Sequence, residues 1–314
     1  MLVRLLALAG AACLTIAASD PPPHQLYEDV RILAADDMAG RLVGTPGSAK
    51  ARAYLTDRLR TIGLEPVLVG FEQPFEAEHD GELLKGVNLI GRIRGSGTSE
   101  RVLVIGAHYD HFGVRDGKIL NGADDNASGV AVLLSIAEQF ARERPVHDTI
   151  FALWDAEEQG FYGSKAFVTK PPVPLSRIAM NLNLDMMSRN DRNELWLAGA
   201  HHSPFLRARF ETLAAQAPLT LKLGHDGPPW KDTDDWTGGS DHFVFHQKGI
   251  PFAYFGVEDY PDYHKPTDDF AAIPKEFFAR SAATALLAAR MFDRELDGIA
   301  AEADQARQVR AKGN

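Results

Sequence analysis

Short, largely apolar, strand-like stretches recur through the middle of this chain, at residues 101–107, 149–154, 177–184 and 194–198, with stretches of helical periodicity such as 128–142 set between them. A run this short and this apolar, clearest at 101–107, suits a strand buried on both faces inside a parallel sheet. Strands alternating with helices imply an α/β fold: a mostly parallel, mixed central sheet with helices on both faces. In such sheets ligands bind beyond the carboxyl ends of the strands. Chemistry is therefore expected in the residues that directly follow each apolar run.

The flanking regions fill in the organisation. Residues 24–64 hold two helical patterns, the second opened by Pro46-Gly47-Ser48 and ended by Gly63. Strand-like stretches at 66–75 and 87–94 are joined by a polar link, 76–85, too short for an inserted domain. Further on come a helix at 204–216, a loop at 224–239 rich in Gly, Pro, Asp and Trp, the strand PFAYF, and a helix from Lys275 to about Asp297. The charged stretch 299–314 is expected to be a frayed tail, leaving one α/β domain over 20–298. No internal repeat is present.

Residues 1–19 combine Arg4, an apolar run over 5–18 and small residues before Pro21-Pro22-Pro23. That is the layout of a secretory signal peptide, too short for a comfortable membrane span. A mature start near Ser19 or Asp20, export to the periplasm or the extracellular space, and no stable membrane insertion are expected. Cys13 is the only cysteine in the sequence. A lipid anchor on it is disfavoured, because Gly10 stands where such a motif wants Leu and the apolar run continues past the cysteine. The hydrophobic share of 45% with 24% charged residues suits a globular enzyme rather than a disordered chain, and a net charge of −10 argues against nucleic acid as a partner. Oligomeric state is not indicated.

Five clusters carry candidate chemistry. AHYDH holds His108, Asp110 and His111 directly after a strand; in H-x-D a carboxylate can orient a metal-binding imidazole. NGADDNASG places Asp124, Asp125 and Asn126 on a tight loop before a helix. Helix N-capping accounts for one such acid, but two adjacent carboxylates repel unless a cation neutralises them. WDAEEQG puts Glu157 and Glu158 after a strand, where successive side chains diverge, so that one can bind a metal while the other serves as a base. Asp185 ends the apolar NLNLD, and a lone acid there must be paired, hydrogen-bonded or metal-bound. DYHKPTDD supplies His264. Each cluster has a structural explanation taken by itself; together they point to a metal site.

The order AHYDH, NGADDNASG, AEEQG, NLDM, SDH and YHKPTDD resembles metallopeptidase family 28, the co-catalytic zinc aminopeptidases, which also include glutamate carboxypeptidases and glutaminyl cyclases. The resemblance implies a zinc-exopeptidase (phosphorylase/hydrolase-like) architecture holding two Zn2+ ions, with Co2+ or Mn2+ as substitutes. It also implies hydrolysis of N-terminal residues from peptides by a water held between the metals. His108 and Asp185 would hold one zinc, Glu158 and His264 the other, and Asp125 would bridge them. Glu157 would be the general base. Asp110 would support His108, with Asp241 and His242 in supporting positions and Tyr254 or Tyr263 assisting the oxyanion. His111, His201, His202, His225 and His246 have no place in the pattern and are expected on the surface or in supporting roles, and Trp230 and Trp236 could rim the pocket. The loop at 224–239 matches no specificity motif, and no cysteine is present for the lid disulfide of some secreted members. A glutaminyl cyclase, a carboxypeptidase and a non-catalytic binding domain remain as alternatives on the same fold.

Overall fold

A computed structural model describes residues 24–227 and 234–313. Residues 1–19, read above as a signal peptide, together with Cys13 and Trp230, lie outside the described residues. Among the described residues, eleven strands occur in chain order: β1 (Glu65–Pro66), β2 (Glu72–His79), β3 (Glu82–Ile93), β4 (Val102–His108), β5 (Gly113–Arg115), β6 (Lys118–Leu120), β7 (Asp148–Trp154), β8 (Ile178–Leu184), β9 (Glu194–Ala198), β10 (Thr220–Leu223) and β11 (Phe252–Gly256). Seven α-helices accompany them: α1 (His24–Leu33), α2 (Pro46–Ile62), α3 (Gly129–Arg142), α4 (Tyr162–Thr169), α5 (Arg207–Gln216), α6 (His242–Gln247) and α7 (Lys275–Gly313).

Nine strands form one sheet in the order β1-β3-β7-β4-β8-β11-β9-β10, with β2 paired to β3; β5 and β6 make a small separate hairpin. The sheet is mixed. Its centre, β7-β4-β8-β11, is parallel, whereas β1, β2 and β3 join antiparallel at one side and β9 runs antiparallel to β11. The apolar runs explain themselves by period-two burial. Leu103, Ile105 and Ala107 of β4, with Phe151 and Leu153 of β7, face a core built with α1, α2, α3 and α7. Val102 and Val104, with Ile150, Ala152 and Trp154, face a second core that includes Phe167 of α4 and Phe245 of α6. Each such side chain contributes about 1.5–3 kcal/mol on burial. Gly106 has no side chain because the Trp154 indole covers it: a Cβ there would come within 2.4 Å of Nε1.

Two expectations are corrected. The polar stretch 76–85 is not a link but the turn-proximal part of the β2–β3 hairpin, paired out to His79 opposite Glu82 around Asp80-Gly81. Its polarity reflects a hairpin that projects into solvent, where exposed faces carry Glu and Lys at no burial cost. The charged stretch at the end is not frayed, since α7 continues to Gly313. Ile299, Ala300 and Ala303 are buried, and the acids beside them pair with distant arginines, Glu302 with Arg209 and Asp304 with Arg101. Among the described residues, no helix is long and apolar enough to cross a membrane.

Candidate metal centre

The carboxyl ends of β4, β7, β8 and β11 lie along one edge of the parallel core, and each delivers acids or histidines to it. β4 ends on His108, the loop after β7 carries Glu157 and Glu158, Asp185 follows β8, and the loop after β11 leads to His264. Asp125 arrives from the segment 123–128 that precedes α3. There the capping is done by neither acid but by Asn126, whose Oδ1 accepts from Gly129 N at 2.9 Å and from Met186 N at 3.2 Å. Asn126 Nδ2 also donates to Leu184 O at 3.0 Å, so one amide fastens the start of α3 to the end of β8 and sets Asp125 beside Asp185. Asp268 secures the other flank by accepting from the backbone N–H groups of Asp124 and Asp125 at 3.0 and 3.2 Å. Asp262 pairs with Arg189, holding the turn that presents His264.

The sequence-predicted residues converge. His108 Nε2 is 3.2 Å from Asp185 Oδ1 and 3.4 Å from Asp125 Oδ1. His264 Nε2 is 3.0 Å from the other oxygen of Asp125 and 3.9 Å from Glu158 Oε2. The two oxygens of Asp125 therefore face two separate groups of donors, one containing His108 and Asp185, the other His264 and Glu158. Glu157 is buried, and donor atoms of His108, Glu157 and Glu158 fall within 4.8 Å of one another.

Asp110 lies beside His108, as H-x-D expects, and has further partners. Its carboxylate is 3.7 Å from His108 Nδ1, and the nearer acceptor for that nitrogen is the backbone oxygen of Asp110 at 3.2 Å. The carboxylate also accepts the backbone N–H groups of Glu157 and Glu158, at 3.0 and 3.3 Å. It positions the acid pair directly.

Burial pushes the Glu157 carboxyl well above its usual range, and the charges of Asp185, Asp241 and Asp110 add to this against the pull of His108. Burial raises Glu158 as well, with Asp125 and Glu157 beside it. Burial opposes ionisation of Asp125 too, yet the facing His111, His108 and His264 hold its carboxyl far below the usual range. His108 is raised despite its burial because Asp185 and Glu157 favour the imidazolium. These shifts describe buried carboxylates with too little positive charge among them, which is the setting a cation relieves. Imidazole and carboxylate donors in two small groups also suit zinc chemically. The residues present fit the metal.

The sequence reading left His111 to a surface or supporting role and did not name Arg41. His111 is fully buried, which leaves the supporting role of the two; its Nδ1 is 2.7 Å from Glu158 Oε1 and 3.8 Å from Asp125 Oδ2. Its place in AHYDH, one residue after Asp110, was the available signal. Arg41 is also fully buried and donates to the carbonyls of Tyr109, Leu33, Asn121 and Gly122, at 2.6 to 3.0 Å. It fixes the backbone on both sides of the centre. Nothing in its local sequence, an irregular turn, marks it.

Tyr263 lies against His264, ring centroids 3.6 Å apart, while Tyr254 is buried and stacked on His242 at 4.2 Å. Asp241 is buried below, its carboxyl pushed up to about 7 by burial. Trp236 stacks on His225 at 3.7 Å and meets the edge of Tyr254. His201, His202 and His246 form a neighbouring group of rings, away from the donor clusters. A cleft of about 680 Å³ between α2 and the β2–β3 hairpin, lined by Arg52, Phe75, Lys85 and Lys170, contains none of the candidate ligands.

Residues 88–289, which include every candidate ligand, match Peptidase family M28. The chain belongs to that family. This M28 chain is 28% identical to the probable lipoprotein aminopeptidase LpqL of Mycobacterium tuberculosis over 259 residues, covering 73% of this chain and 50% of the relative. It spans about half the length of such curated relatives. Among solved structures, BSAP, a zinc aminopeptidase from Bacillus subtilis, superposes with a TM-score of 0.67 at 18% identity, covering 85% of this chain and 95% of that one. A glutaminyl cyclase from Porphyromonas gingivalis superposes with a TM-score of 0.70 at 22% identity, covering 88% of this chain and 100% of that one. At these identities the M28 chain shares their fold.

Proposed function

We propose that this protein is an exported two-zinc aminopeptidase that removes N-terminal residues from peptides. The observation that carries the reading is the division of Asp125: one oxygen turns to His108 and Asp185, the other to His264 and Glu158. A carboxylate so shared is a natural bridge between two ions. Two zinc ions held there would supply Lewis acidity toward the scissile carbonyl and lower the pKa of the attacking water towards neutrality. Glu157, raised by burial and held through its backbone by Asp110, would be the base that takes the proton of the attacking water and returns it to the leaving amine. Tyr263, beside His264, and Tyr254 are the side chains available to steady the oxyanion.

The fold likeness to a glutaminyl cyclase favours acyl transfer as a second reading. Both donor groups being complete speaks against an arrangement that needs one zinc. A carboxypeptidase needs a cation for the terminal carboxylate, whereas Arg41 is engaged with four carbonyls and Arg189 with Asp262. Export rests on the sequence of residues 1–19.

The deciding experiment assays aminoacyl anilides, N-blocked and C-terminal controls, and an N-terminal glutaminyl peptide, with and without chelator. Release of the aminoacyl group, abolished by chelation and restored by zinc, is expected. Cyclisation without hydrolysis would replace this reading with the acyltransferase, and activity on blocked peptides with a free carboxyl end would replace it with the carboxypeptidase.

A further inference from the structure

His111, Asp125 and Glu158 bring donor atoms together closely enough that His111 could be taken for another metal ligand. The distances argue otherwise. Two donors on one tetrahedral zinc, with bonds of about 2.0–2.2 Å, stand about 3.3–3.6 Å apart. The His108 contacts to Asp185 and Asp125, at 3.2 and 3.4 Å, are close to that spacing. His111 Nδ1 is only 2.7 Å from Glu158 Oε1, the length of a charge-assisted hydrogen bond.

The far side of the ring agrees. A histidine that binds metal through one nitrogen almost always donates its other N–H to an acceptor. His111 Nε2 is buried with no partner among the described residues. Ligation through Nδ1 would leave Nε2–H as a buried donor with nothing to receive it, at about 1–3 kcal/mol. With the proton on Nδ1, Nε2 is a bare lone pair and Nδ1–H meets the Glu158 oxygen, which only accepts in the ionised form that a metal ligand takes. Gly122 leaves room for the ring where it lies, since a Cβ there would come within 2.6 Å of His111 Cδ2. Phe112 packs beside the imidazole with ring centroids 4.9 Å apart.

We propose that His111 is a positioning residue, donating from Nδ1–H to Oε1 of Glu158 so that Oε2 is presented to the ion shared with His264 and Asp125. This rests on the two-metal reading above. The carboxylate of a flexible Glu is thereby fixed in rotation, and the affinity of that ion depends on a side chain that does not touch it.

The test compares His111→Asn, His111→Gln and His111→Phe. The Asn amide nitrogen stands where Nδ1 stood, the Gln amide nitrogen stands nearer Nε2, and Phe keeps the ring without a donor. Zinc affinities of both ions are measured on metal-free protein by competition with a chelator, alongside melting without metal. In His111→Gln and His111→Phe, the ion also weakened by His264→Ala should bind about 10–100-fold more weakly, while the other changes less than about threefold. His111→Asn should recover most of the loss. Should His111→Phe fail to fold, the Asn and Gln pair still decides. The proposal is overturned if Asn loses the ion as fully as Gln, the behaviour of a ligand, or if all variants keep wild-type affinities. Wild-type protein that takes up fewer than two ions would overturn the two-metal reading, and this inference with it.

Discussion

Asp110 Oδ1 accepts the backbone N–H of Glu157 at 3.0 Å, tying the turn after β4 to the loop after β7. Through its other oxygen, Asp110 also receives Glu158 N at 3.3 Å, so one buried carboxylate sets the direction of the acid pair. In Asp110→Asn one acceptor oxygen becomes an NH2 group facing a backbone N–H. Turnover is expected to fall about 10–100-fold, with zinc content falling less than it does when Glu158 itself is changed. Steady-state kinetics and metal analysis check this; a wild-type rate in Asp110→Asn would remove the positioning role.

The sheet centre and the candidate ligands were legible because both follow from local constraints. A strand buried on two faces is largely apolar, and an acid at its end needs a reason to be there, so β4, β7 and β8 disclosed themselves with His108, Glu157, Glu158 and Asp185. The β2–β3 hairpin did not, because an exposed ladder needs no apolar pattern and reads like a loop. The last turns of α7 were hidden for a related reason: Ile299, Ala300 and Ala303 make a narrow apolar stripe, and its charges are matched only by Arg209 and Arg101, which are remote in sequence. Arg41 was illegible because its partners are backbone carbonyls from 8 to 81 residues away, which leave no mark on composition. His111 was visible in AHYDH, but its contact with Glu158 spans 47 residues.

Arg41 tests how far the centre depends on that buried scaffold. Arg41→Met keeps much of the side-chain volume but removes the guanidinium donor from the carbonyls of Leu33, Tyr109 and Asn121, while Gly122 O still accepts from Ala127 N. Each buried acceptor left unsatisfied costs about 1–3 kcal/mol before relaxation. A net destabilisation of at least about 3 kcal/mol is expected, or a melting temperature lower by about 6 °C or more for a chain of this size. Thermal unfolding of the metal-free protein measures it, and a loss below about 1 kcal/mol would mean that the carbonyls find other donors.

The metal-free protein should lose stability as pH rises from about 6.5 to 8. Burial pushes the carboxyls of Asp124, Asp155 and Asp241 up to about 7, and raises Glu157 and Glu158 well above their usual range. Over this window the unfolded chain has released these protons while the folded chain still holds some. The stability contributed by a raised group, complete below its unfolded pKa, therefore drains away through the folded value. His108, also raised, acts in the same direction. Each excess proton gives a slope of about −1.4 kcal/mol per pH unit. Below about 6.5 the sign becomes mixed, because buried His111 and His242, both lowered to about 3, make the folded state lose ground as the unfolded chain takes up protons. Zinc binding displaces protons from its ligands, so the melting-temperature gain on adding zinc should grow across the same window. Melting curves at fixed ionic strength, with chelator and with zinc, test both halves; a chelated protein whose melting point holds or climbs toward pH 8 contradicts the assignment.

The separation of chemistry from metal binding turns on two adjacent acids. Glu157 and Glu158 share a loop, burial and the support of Asp110, yet Glu158 Oε1 is engaged by His111 and its Oε2 faces His264. Glu157 has its donor atom within 4.8 Å of those of His108 and Glu158, one residue from each donor group. In Glu157→Gln the side chain keeps its size and hydrogen-bonding reach but cannot take a proton. Removal of a general base costs about 10²–10⁴ in rate, so turnover should collapse while two zinc ions and the melting temperature are retained. Glu158→Gln instead replaces a charged oxygen donor with an amide and leaves His111 facing a group that no longer only accepts. Zinc content should fall toward one ion per chain, activity should fall with it, and excess zinc should restore part of that activity. Metal analysis, melting and anilide hydrolysis on the two variants side by side distinguish the outcomes. Loss of metal in Glu157→Gln with retention in Glu158→Gln would exchange the two roles, and full activity in both would remove the centre from the chemistry altogether.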